Sequence, residues 1–171
     1  MRVAASDVEQ LIGATVQVSA TLTDLLTYLR TADRLLESGA GRIGPALIGG
    51  LGSAAAAVRR ADHRRARAAA SLTDGNDTAE VTLALMAAAD APWVDGLLTV
   101  TGRLHQQINE VDRLAASLRR RAAAPVAVAP TQVEAQQARR LLHDVLEQEL
   151  KELVPPALRE FLPIGPPPRH L

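Results

Sequence analysis

Four histidines, His63, His105, His143 and His170, are the side chains best suited to move a proton or hold a metal near neutral pH, and each lies on a different stretch of the chain. None has a second histidine at ligand spacing, and the Glu-x-x-His pair of carboxylate di-iron bundles does not occur. The chain has no cysteine, which excludes thiolate chemistry and disulfides. It also lacks a Gly-x-x-x-x-Gly-Lys phosphate loop, a Gly-x-Gly-x-x-Gly turn and a Gly-x-Ser-x-Gly elbow. These patterns lead us to expect no catalytic residue, no metal and no cofactor, and the chain reads as a non-enzyme.

Arginine is the remaining chemistry. Net charge is zero over 171 residues, but it is unevenly spread. Between residues 41 and 71 stand Arg42, Arg59, Arg60, Arg64, Arg65 and Arg67, against Asp62 alone. Arg60, Arg64 and Arg67 follow one another at steps of four and three, the spacing of one helix face. With Arg59 and Arg65 they form a candidate anion-binding patch that could hold phosphates of nucleic acid or of an anionic membrane through several ion contacts at once. No helix-turn-helix or finger signature accompanies it, and no aromatic lies nearby to stack on a base. A solvated face, or one that docks on acidic protein, explains the same residues.

The element that must position everything else is residues 6–38. Val8, Leu11, Thr15, Val18, Leu22, Leu25, Leu29, Ala32 and Leu36 alternate steps of three and four, a seam for another helix. Ile12 and Leu26 widen that stripe. Ser6 with Glu9 predicts a capping box, and Gly39 a left-handed stop. A second seam, Leu97, Thr101, Leu104, Ile108, Val111, Ala115, Leu118 and Ala122, marks a helix over 96–123. Its last turn carries Arg119, Arg120 and Arg121, where positive charge suits the helix dipole.

Between the seams, glycine and proline over 41–52 predict a flexible turn or hinge, because glycine weakens a helix by about 1 kcal/mol. Residues 43–58 are uncharged but glycine-rich and run straight into arginines, so they read as a connector and not as a membrane span. An Ala/Arg helix is expected over 53–71 and a short one over 77–89, with Trp93 anchoring the following corner. Residues 125–130, Pro-Val-Ala-Val-Ala-Pro, form an extended linker. A further helix is expected over 131–154, packing on the bundle or on a partner. Its apolar face includes Leu141, Leu142, Val145 and Leu146, and Asp144, Glu147, Glu149 and Glu152 are candidate mates for the basic helix. The proline-rich tail, 155–171, is expected to dock to a partner or to fray.

With one Trp, one Tyr and one Phe and no alternating strand pattern, the fold class is all-α. The expected architecture is an elongated bundle in which the coiled-coil-like helices 6–38 and 96–123 run antiparallel. Apolar surface outside the seams is thin and rich in alanine, so part of each seam is expected to face another chain. The first functional expectation is therefore a scaffold or adaptor acting through helix faces, self-associating as a homodimer, with Leu22, Leu25, Leu29, Leu104, Ile108 and Val111 as its contacts. The alternatives are a binder of nucleic acid or anionic membrane through 53–71, and an exported or phage-type structural protein. Met1–Ser6 leads directly into a capped helix with no continuous apolar run, which sets a cytoplasmic location as the expectation.

Overall fold

The computed structural model describes residues 5–38, 43–72, 93–123, 133–148, 158–159 and 161. The expected helix 77–89, Gly39 and the linker 125–130 lie outside these residues. Among the described residues the protein is all-helical, with helices α1 (Ala5–Glu37), α2 (Pro45–Ser71), α3 (Val94–Ala123) and α4 (Val133–Gln148). None of them is long and apolar enough to cross a membrane.

Most seam positions of α1 and α3 are buried; Leu36 and Ala122, at the seam ends, are half-buried, and Leu114 is buried off the seam. Val8, Leu11, Val18, Leu22, Leu25, Leu29 and Ala32 are inaccessible, as are Leu104 and Leu118, and Leu97, Ile108, Val111 and Ala115 are nearly so. A threonine on each seam is tolerated because its hydroxyl is satisfied within its own helix. Thr15 Oγ1 donates to the Leu11 carbonyl and Thr101 Oγ1 to the Leu97 carbonyl, both at 2.7 Å.

The contacts between α1 and α3 correct the expected direction. Gln107 Nε2 donates to the Ser19 carbonyl, Arg30 pairs with Glu110, and Arg121 reaches Asp33 and Glu37. Residue numbers rise together on both helices, so they run parallel. The physical reason lies in α2, which begins at Pro45 and not at residue 53 and is long enough to bring the chain back to its starting end. There Ala69 and Leu72 share an apolar cluster with Val8, Leu11 and Leu97, with Trp93 packed against it.

The glycine-rich stretch is thus helix, not hinge. Pro45 presets the first turn, and the Gly44 carbonyl accepts from the Leu47 and Ile48 amides at 3.1 and 3.3 Å. Ile43 and Leu51 are buried, and Leu47 and Ile48 pack against the core, which offsets the glycine penalty. At Gly50 an added side chain would have to displace the Tyr28 ring. A Cβ there would lie 2.8 Å from Tyr28 Cζ and closer still to Cε1.

Two apolar clusters make up the described core, and the change from one to the other comes at one level on α1, α2 and α3. It falls between Leu11 and Val18 on α1, Ala61 and Ala69 on α2, Leu97 and Leu104 on α3, and Leu158 and Phe161 in the last described residues. Thr15, Thr101, Asp62 and Arg65 occupy that level on their helices and are buried.

Candidate functional site

Helix α2 sorts its charged residues by angle around its axis. Positions 61, 62, 65 and 69 face the core, so Asp62 and Arg65 go inside with Ala61 and Ala69. Arg60, His63, Arg64 and Arg67 remain exposed. Arg59 is half-buried and engaged. Of the five arginines expected to form one patch, Arg65 must be removed: it is 1% exposed. Its Nε donates to Asp62 Oδ1 at 2.7 Å, and its guanidinium lies 4.3 Å from the centre of the Phe161 ring. A guanidinium removed from water requires an opposite charge and gains from an aromatic face, and it has both here.

The outward face of α2 is consequently cationic. Asp62 is the only carboxylate of the helix, and it is spent on Arg65. Arg60, Arg64 and Arg67 form no ion pair among the described residues. Of the expected acidic mates, neither of the two described ones pairs with this row. Glu147 meets Arg119 of α3 at 3.0 Å, Asp144 is exposed, and Glu149 and Glu152 lie outside the described residues.

Beside this face runs a groove. α2 and α3 each pack along α1 but touch each other little, and α4 lies against both. Leu142, Leu146, Leu158 and Phe161 fill the space and are wholly buried. The tail expected to fray or to dock elsewhere therefore contributes at least two core residues. Leu141 is another correction, since it is half exposed and not part of the apolar face.

Polar contacts fasten the same stretch. The Phe161 carbonyl can only accept, so His105 Nε2, 3.1 Å away, carries the proton. Arg159 grips Asp112 with both terminal nitrogens, Nη2 to Oδ1 at 2.8 Å. That hydrogen bond raises the Arg159 pKa; burial pulls the other way, and the carboxylate charge adds to the rise. On the far side Arg119 Nη2 donates to the Leu146 carbonyl at 3.0 Å.

The six expected contact residues, Leu22, Leu25, Leu29, Leu104, Ile108 and Val111, are at most 3% exposed within the single chain and belong to one cluster. They close the bundle internally, so a second chain does not reach them in this arrangement. The large apolar side chains left outside among the described residues are Val16, Tyr28, Val133 and Leu141. No group of three or more His, Asp or Glu side chains among the described residues could hold a metal ion. His63 is exposed and His143 is half-buried, its Nδ1 without a hydrogen-bond partner.

The sequence reading missed the joining of Asp62, Arg65, His105 and Phe161. The one signal available was the spacing of Leu158 and Phe161, three residues apart as on a helix face and following Pro155-Pro156. Comparison with protein-family models, with curated proteins and with solved structures gives no match to this chain.

Proposed function

We propose that the protein acts by binding, and that the exposed row Arg60, Arg64 and Arg67 of α2 holds the phosphate backbone of a nucleic acid. The observation that carries this reading is the internal placement of Asp62, which leaves the row without an ion pair among the described residues. Successive guanidiniums are offset along the axis by about 6 and about 4.5 Å, a line suited to a phosphate strand. Around them His63, Ala66 and Ser71 are exposed and offer no large apolar side chain to enter a bilayer. With no aromatic among them, the contact is to backbone and independent of base sequence.

Fluorescence anisotropy with a labelled duplex tests it, with anionic vesicles as a second arm. Three phosphate contacts give a salt slope near −2.7, hence roughly a 40-fold loss of affinity between about 50 and about 200 mM salt. Each of Arg60→Ala, Arg64→Ala and Arg67→Ala should lower the slope by about 1. No duplex binding at the lower salt, vesicle binding alone, or indifference to the triple substitution would reject the reading.

A scaffold is the second reading, supported by the exposed Val16 of α1. It requires a salt-independent dimer by light scattering that Val16→Glu dissociates. A monomer at both salt concentrations removes it.

A further inference from the structure

We propose that the groove between α2 and α3 is an exchangeable docking site, and that the carboxy-terminal stretch of a second copy of this chain can occupy it in place of the chain's own. The division of contacts supports this. Asp112, His105 and Arg119 on α3 and Arg65 on α2 supply the groove side. Leu142, Leu146, Leu158 and Phe161, with Arg159 and Glu147, supply the inserted side. All the inserted groups come after residue 132 and all the receiving groups before residue 124. Two chains can therefore trade the whole set and lose none of these contacts.

The occupant's chemistry is already defined, because the groove fits this segment and offers a buried guanidinium to its ring and a histidine to its carbonyl. The heptad seams offer a second copy nothing, since they are closed inside each chain. Residues 124–132 join the two sides, and nine residues reach about 30 Å when extended. What favours the intramolecular form is the covalent connection, which for a short flexible linker gives an effective concentration in the millimolar range. Exchange therefore grows with chain concentration, as in domain-swapped dimers.

The test uses the absence of cysteine from the chain. Asp112→Cys and Arg159→Cys are made in separate full-length proteins; the two side chains are 43% and 46% exposed, so neither change opens the core. The two proteins are mixed in denaturant, refolded together at high concentration and treated with a short bis-maleimide. Within one chain the two thiols never meet. In an exchanged dimer the Cys at position 159 of one copy lies against the Cys at position 112 of the other. A crosslinked heterodimer in the mixture, falling in yield on dilution and not formed by either variant alone, is the expected result. Its absence after joint refolding, or an equal yield of dimer from a single variant, overturns the proposal.

Discussion

Arg65 of α2 and Phe161, near the end of the chain, are stacked with the guanidinium carbon 4.3 Å from the ring centre, and both side chains are buried. The contact joins the middle of the chain to its end and covers the Asp62–Arg65 pair.

Removing the ring should be costly. Phe161→Ala leaves a cavity in the cluster of Val8, Leu11, Ala69, Leu72 and Leu97 and is expected to destabilise the fold by about 3 to 5 kcal/mol in chemical denaturation. Phe161→Leu fills part of that space and loses mainly the cation–ring attraction, a change of about 1 to 2 kcal/mol. Equal effects of the two substitutions would mean that the ring is not seated as described.

The ion pair beneath it behaves differently when halved than when replaced. Asp62→Ala strands a buried arginine and should cost about 3 to 5 kcal/mol. The double substitution Asp62→Leu with Arg65→Met removes both charges and should be close to neutral, or stabilising by about 1 kcal/mol or more. Denaturation midpoints of the three proteins decide the matter, and a double variant as unstable as Asp62→Ala would contradict it.

Neighbouring glycines of α2 should respond with opposite signs. A methyl added at Gly49 would meet nothing within 4 Å, so Gly49→Ala should stabilise by about 0.5 to 1 kcal/mol through backbone entropy. Gly50→Ala drives a methyl into the Tyr28 ring, and its helix gain is offset or exceeded by displacing that side chain. Thermal unfolding of both variants is the check; equal stabilisation would show that Tyr28 yields freely.

The parallel course of α1 and α3 can be measured directly. Val16, Gly102 and Arg120 are exposed, and spin labels there leave the core intact. Ser19 lies beside Gln107 and Asp33 beside Arg121, so a label at 16 should be close to one at 102. It should be farther from one at 120 by up to about 27 Å, the rise over the intervening residues. Antiparallel helices would reverse the order.

Much of this protein was legible from local pattern. Steps of three and four located α1 and α3 and named most of their buried residues, because helical periodicity is set by a few neighbouring residues. The row Arg60, Arg64 and Arg67 was legible for the same reason. Helix direction was not, since a seam of leucines packs nearly as well either way round. The start of α2 at Pro45 was hidden because glycine's local penalty is outweighed by packing of Ile43, Leu47 and Leu51 and by the close approach of Tyr28 to Gly50. Arg65 read as a surface charge because its partners are Asp62, whose burial periodicity alone did not reveal, and Phe161, far along the chain. Residue types and spacings alone therefore determined α1 and α3 and most of the residues they bury. The tertiary structure decided which way they run, which charges go inside and what fills the last groove, since these depend on contacts between residues distant in sequence.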